Sequence, residues 1–239
     1  MKTTNRFSKT SYLGLINPNH TKFIDEELFD EIHRNYIKLK KVTIWYGFPG
    51  EEYKKKNEII NGQNILGIQC QYLNSINGEI KSTGINGGKM TDANLLVKEL
   101  ELSNGDYITK FVICFAHIIS YIKFETKNNK ILEVGTFNPN LSKTLKLNSE
   151  KERNMLLSFY GYYNECGLRA LGCKYITREN YIWFFFMNHL RYKHYLNKNK
   201  EEEKKWTEEK IKSLNYYEQV FIRMCLLPTV LFFNIVKYY

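Results

Sequence analysis

Between residues 37 and 176, apolar and polar side chains alternate in short runs. Val42, Ile44 and Tyr46 alternate with Thr43 and Trp45, and Leu66, Ile68, Cys70 and Tyr72 alternate with Gly67, Gln69 and Gln71. Leu100 and Leu102 alternate with Glu99 and Glu101, while Ile118, Ile122 and Phe124 share a face opposite Tyr121, Lys123 and Glu125. Successive side chains of a strand point to opposite faces, so each run predicts a strand with one face on a core. Between the runs stand Asn77-Gly78, Asn86-Gly87-Gly88, Asn104-Gly105-Asp106 and Asn128-Asn129. Asn and Gly tolerate the positive φ of tight hairpins, so these read as turns. Strand follows strand with no helical run between, which favours an antiparallel sandwich, barrel or prism over a parallel α/β sheet.

Two segments break this rhythm. Residues 48–63 are charged, with Lys54, Lys55 and Lys56 following Glu51 and Glu52, and predict a solvated surface loop. After Tyr175 the character changes. Thr177 is a candidate helix cap with Asn180 three positions on, and Ile182, Trp183, Phe185, Phe186 and Leu190 follow in an apolar, aromatic run. An exposed patch of Tyr181, Trp183, Phe184, Phe185 and Phe186 would invite aggregation, so these side chains are expected to pack in a core. Glu201 and Lys205 stand four apart in the order that supports a helix, and the pattern continues to Pro228. Residues 177–239 therefore predict an α-helical extension of two or three helices. Val220 to Val236 is largely apolar but interrupted by Arg223, Pro228 and Asn234, short of the roughly 20 apolar residues of a spanning helix. A buried or interfacial helix is expected there, with a membrane segment at 220–236 left open.

Composition narrows the function classes. At 43% hydrophobic and 15% aromatic, the 239 residues hold enough apolar surface for a core, which excludes wholesale disorder. The net charge of +10 is spread out: 24 basic and 18 acidic residues lie in 1–176, and 11 and 7 in 177–239. Phosphate binding needs a coherent basic stripe, and none is present, so a nucleic-acid partner is not expected. Cys70, Cys114, Cys166, Cys173 and Cys225 form no CxxC pair, and an odd count predicts reduced, mostly buried thiols. No G-x-x-x-x-G-K-[ST] or G-x-G-x-x-G loop occurs, setting aside those nucleotide-binding folds. MKTTNRFSKTSYLG has no apolar stretch of a secretory leader, which favours a cytoplasmic over a secreted chain and leaves export by another route open; residues 1–11 are expected to be flexible.

Candidate chemistry outside the strands is thin. Cys114 and His117 are three apart, the order of a nucleophile and its base, but no carboxylate at useful spacing orients them. His189 and His194 are five apart, off the spacing that aligns two metal ligands on a helix. Asp25, Glu26, Glu27, Asp30 and Glu31 cluster, but the calcium-loop pattern with its central Gly and final Glu is absent. No catalytic residue, metal or cofactor is expected.

The ordered motifs resemble the jacalin-like lectin family, of the mannose-binding type. LGCKY at 171–175, after Phe159-Tyr160-Gly161, is similar to the family's closing strands. NGDYIT at 104–109 and ISYIKFETKNNKILEVG at 119–135 are similar to its central strands, with ILGIQCQY at 65–72 and Gly87-Gly88 in the expected order before them. LFDE at 28–31, ahead of a strand at 38–46, resembles its early aromatic-acidic motif, with Gly14 near the first loop. The resemblance covers residues 12–176 and implies an all-β fold, β-prism I: three four-stranded antiparallel sheets with a sugar site in loops at one end.

That resemblance also points to where the sugar site departs from the pattern. In the family, a carboxylate from the Asp of a Gly-x-x-x-Asp loop between the last two strands accepts from sugar hydroxyls. Here Arg169 takes the place of that Asp and Glu165 that of the loop's Gly. The candidate ligand residues are Gly14, Tyr162, Tyr163, Asn164, Glu165, Gly167 and Arg169. A guanidinium donates but cannot accept, so Glu165 or Asn164 has to supply the acceptor. Arg169 itself either pairs with Glu165 across the loop or favours an anionic ligand, such as a sulfated or sialylated glycan or a phosphorylated headgroup. The leading reading is a non-enzymatic carbohydrate-binding module whose partner is a glycan or glycoconjugate. The alternative is a prism without sugar binding that uses residues 177–239 for protein or peripheral membrane contact. Association between copies of the chain stays open in both.

Overall fold

The computed structural model describes residues 7–29, 37–48, 63–74, 79–89, 95–103, 106–147 and 154–177. The interior of the 48–63 insertion, the turns at Asn77-Gly78 and Asn104-Gly105, the pair Asp30-Glu31 and the helical extension from residue 178 all lie outside these residues.

Alternation in the sequence becomes three antiparallel sheets. The first orders β1 (Phe7–Lys9), β14 (Gly167–Thr177), β13 (Asn154–Asn164) and β3 (Thr21–Ile24), with β2 (Leu13–Gly14) also on β14. The second orders β6 (Ile80–Ser82), β5 (Asn64–Asn74), β4 (Ile37–Gly47) and β8 (Leu96–Glu101), with β7 (Asn86–Gly87) also on β5. The third orders β11 (Ile131–Gly135), β10 (Ile119–Thr126), β9 (Ile108–Phe115) and β12 (Ser142–Lys146). The expected prism of four-stranded sheets is thus present, two of its sheets carrying one extra two-residue strand.

Two expectations are corrected. Residues 7–9, expected in a flexible terminus, are paired: Phe7, Ser8 and Lys9 face Ile176, Tyr175 and Lys174. Thr177, the candidate helix cap, ends β14 opposite Asn154, and the residues it would cap lie outside the described ones. Asn86-Gly87 is a short strand against Ile68 and Gly67, not a turn. A Cβ at Gly87 would stand 2.2 Å from the Leu66 carbonyl oxygen, so glycine here permits strand contact. Asn129, by contrast, turns as expected, at φ 61°.

The inward faces meet in one core. Val42, Ile44, Ile68, Tyr72, Leu100, Ile113, Ile122 and Leu171 are all buried in it. At its centre Phe111, Phe124 and Phe159 pack at centroid distances of 6.0 Å (Phe111–Phe124), 6.4 Å (Phe111–Phe159) and 5.6 Å (Phe124–Phe159). Offset and edge contacts of this kind suit the ring quadrupole. Sheet edges are tied by lysines: Lys98 Nζ donates to the Glu133 carbonyl at 3.0 Å and Lys130 Nζ to the Glu101 carbonyl at 2.9 Å. Tyr121 does lie on the outer face with Lys123, but it is buried there with Val112 and Cys114, and Phe137 packs edge-on against it at 5.1 Å. Because Ile122 is fully buried, Ile122→Val is expected to cost about 1 kcal/mol, read as a lower urea midpoint at unchanged slope.

The acidic cluster divides. Asp25 is buried, with its carboxylate accepting from Tyr72 Oη and from Asn86 Nδ2 at 3.3 Å. Tyr72 Oη in turn accepts from the Phe159 N–H at 3.2 Å, so one network joins β5, β7 and β13. Burial pushes the Asp25 carboxyl up to about 6 against the pull of these hydrogen bonds. Glu26 binds Lys174 and Lys9; burial would raise its carboxyl, but the two ammonium groups hold it below the ordinary carboxylate range. Among the described residues no group of His, Cys, Asp and Glu could hold a metal ion.

Candidate functional site

At one end of the prism, four connections among the described residues line an open hollow of about 790 Å³. Leu15, Asn17, Asn19, His20 and Thr21 come from the β2–β3 connection, Gly87, Gly88 and Lys89 from β7 onward, His117 from the β9–β10 turn, and Tyr163, Asn164, Glu165, Cys166 and Arg169 from the β13–β14 hairpin.

Each loop is shaped by local polar chemistry. In the β2–β3 connection Asn17 Oδ1 accepts from the Asn19 N–H at 3.0 Å, and the Asn17 N–H donates to His20 Nδ1 at 3.2 Å. Such side-chain-to-backbone bonds replace the ladder that the loop has left. The hairpin turns over Glu165-Cys166, with Asn164 facing Gly167. Asn164 Oδ1 accepts from the Cys166 N–H at 3.0 Å, and Gly167 takes φ +135°, which a side chain would resist. Gly88 lies flat on this turn: a Cβ there would stand 2.3 Å from the Glu165 carbonyl oxygen. That carbonyl accepts from the Lys89 N–H at 3.0 Å.

Arg169 connects these parts. It is 3% exposed, on β14 beneath the hollow. Its Nε donates to Asn164 Oδ1 at 2.8 Å and its NH1 to the His117 carbonyl at 2.6 Å. Its own carbonyl accepts from the Leu15 N–H at 3.0 Å. One residue thus ties the β2–β3, β9–β10 and β13–β14 connections together.

Of the seven residues that the sequence singled out, Tyr163, Asn164, Glu165 and Arg169 line the hollow. Gly14, Tyr162 and Gly167 are not among its lining residues. Gly14 pairs with Ala170 at φ +135°, where a Cβ would meet the Arg169 carbonyl oxygen at 2.2 Å, so its place is scaffolding. Tyr162 meets Tyr12 at a centroid distance of 5.1 Å. The sequence reading missed Asn17, Asn19, His20, Lys89 and His117; only the clustering of Asn, Pro and His at 17–20 and the Gly pair at 87–88 hinted at loops there. His117 is exposed, whereas the Cys114 thiol is buried and donates to the Asn138 carbonyl at 3.4 Å. Cys70 and Cys173 are buried and Cys166 is half-buried.

Residues 19–174 match the family model of the Jacalin-like lectin domain. The chain belongs to the jacalin-like lectin family. Solved structures of jacalin-like lectins repeat its fold. The mannose-binding lectin from Champedak matches at a TM-score of 0.50 and 11% identity, over 71% of this chain and 96% of that one. Artocarpin in complex with mannotriose matches at 0.50 and 12%, over 72% and 99%. A point variant of Malaysian banana lectin matches at 0.50 and 13%, also over 72% and 99%. At such identities the likeness carries the fold alone. No curated protein matches the chain in sequence. The family match begins at residue 19, so β1 and β2 lie outside it although both pair with β14.

Proposed function

We propose that this chain binds carbohydrate in the hollow at the loop end of its prism. The observation that carries this reading is the hollow itself: a concave, mainly polar surface to which four loops of the described residues contribute, with one carboxylate among their lining side chains. A pyranose presents hydroxyls in a fixed array, and a site for it needs convergent donors and at least one strong acceptor. Asn164 Oδ1 already accepts twice, from Cys166 and Arg169. A carbonyl-type oxygen has two lone pairs, so the acceptor role falls to the exposed Glu165 carboxylate. Asn17 and Asn19 supply further polar groups, and the half-buried Tyr163 ring offers a face for sugar CH groups. The Champedak lectin is named for binding mannose and the artocarpin complex contains mannotriose, which supports carbohydrate as the ligand class.

A glycan array probed with the full chain tests the reading. Signal on one family of glycans is expected, and folded protein that binds none of them sinks it. Glu165→Gln keeps the turn, whose backbone carbonyl bonds Lys89, but removes the charge from the acceptor. It is expected to weaken glycan binding about tenfold or more, since hydrogen bonds to charged groups are worth about 1.5–3 kcal/mol.

A further inference from the structure

We infer that the hollow prefers saccharides carrying an anionic substituent (carboxylate, sulfate or phosphate) and that Lys89 is the residue that reads it. The inference rests on the carbohydrate reading above and names the ligand class within it. Among the described residues, two cations, Lys89 and Arg169, line the hollow against one carboxylate, Glu165. The two cations act differently. Arg169 is buried with its guanidinium engaged by Asn164 and His117, so its charge acts through the low-dielectric floor on whatever sits above it. Lys89 is exposed at the rim and makes no ion pair among the described residues.

Its position is also held. The Gly88 N–H donates to the Leu66 carbonyl at 2.8 Å and the Lys89 N–H to the Glu165 carbonyl at 3.0 Å, which fixes the Lys89 Cα beside the carboxylate-bearing residue. A cation and a carboxylate thus rise from adjacent backbone at one edge of the hollow. In this arrangement Glu165 accepts from ring hydroxyls, and the Lys89 ammonium meets an anionic group carried on the same sugar. The exposed His117 imidazole, across the hollow on the β9–β10 turn, adds an N–H donor without a competing negative charge.

The experiment is a chemical-shift titration of the full chain at low salt with glucose, galactose and mannose, each beside its 6-phosphate and 6-sulfate. Inorganic phosphate and sulfate serve as separate probes. The expected result is that at least one sugar phosphate or sulfate binds about tenfold tighter than its neutral parent. That margin should shrink as salt is raised, because exposed charge pairs are screened. Lys89→Gln should erase the margin, so that the charged sugar binds no tighter than its neutral parent. Equal affinity for charged and neutral sugars, or a preference that survives Lys89→Gln, overturns the inference and leaves the carbohydrate reading standing. Inorganic anions binding as tightly as the sugar esters also overturn it, since the site would then read a bare anion. No binding of any saccharide by folded protein overturns both.

Discussion

Arg169→Met is expected to lower stability by about 2–3 kcal/mol and to abolish ligand binding in the hollow. The stability loss follows from the acceptors left behind: Asn164 Oδ1 loses the 2.8 Å donor and the His117 carbonyl the 2.6 Å donor. An acceptor stripped of its partner costs about 1–3 kcal/mol when buried, so two partly exposed ones fall in the stated range. Binding fails for a different reason: without the guanidinium, the β9–β10 turn and the β13–β14 hairpin lose their shared tie. Arg169→Asp, the residue type that the family resemblance implies at this position, is expected to do worse, by about 3–5 kcal/mol. It would bury an unpaired carboxylate on β14, too short to reach the guanidinium's place, and leave both Asn164 Oδ1 and the His117 carbonyl without that donor. Urea unfolding with unchanged slope would measure both, and glycan titration would give the binding. If Arg169→Asp folds as stably as the parent chain, Arg169 does not hold the loops together.

The same residue shows where sequence reading stops. The sheets were legible because burial enforces a period of two: Val42, Ile44, Ile68, Cys70, Leu100 and Phe124 all point inward as the alternation requires. Site residues obey no such period. The substitution at 169 was visible against the family pattern, and with it the two outcomes of an ion pair or an anionic ligand. Its contact with His117, 52 residues earlier in the chain, was not visible, because three-dimensional closure of the prism creates it. Lys89 was equally silent, since a lysine after two glycines looks like any solvated loop until Gly88 is found pressed on the Glu165 carbonyl. Short pairings escaped for lack of length. Three residues of β1 and two of β7 cannot display alternation, and at Asn86-Gly87 the turn-forming residue types pointed the wrong way.

Scaffold and site also differ in how much change they bear. Gly14, Gly87 and Gly88 are each held by backbone within 2.3 Å of where a Cβ would stand, so these crossings cannot shift without displacing a strand or turn. By contrast, the side chains of Lys89, His117 and Glu165 around the hollow are exposed. A fold of this kind can therefore exchange its ligand chemistry by side-chain substitution alone while the loops keep their course. Under the proposed reading, a buried cation at 169 with the acceptor role at 165 would be a change of that type.

Asp25→Asn is expected to raise stability at neutral pH by up to about 3 kcal/mol and to flatten its dependence on pH between about 4 and 6. Burial lifts the folded-state pKa of Asp25 from 3.8 to about 6. Between those values the folded chain holds a proton that the unfolded chain has released, so unfolding free energy falls as pH rises through the window and is level above it. Glu26 runs the other way. Its carboxyl is held low by Lys174 and Lys9, so its contribution is present above the ordinary carboxylate pKa and is lost as pH falls. The parent chain should therefore be most stable at mildly acidic pH, below the Asp25 transition and above that of Glu26. Asn at position 25 keeps an oxygen to accept from Tyr72 Oη or Asn86 Nδ2 but carries no charge to desolvate. Urea unfolding at a series of pH values reads the outcome directly. A parent slope that persists in Asp25→Asn would mean that another group titrates in that window. A loss of stability at neutral pH would mean that the charged carboxylate, held by Tyr72 and Asn86, is worth more to the fold than its burial costs.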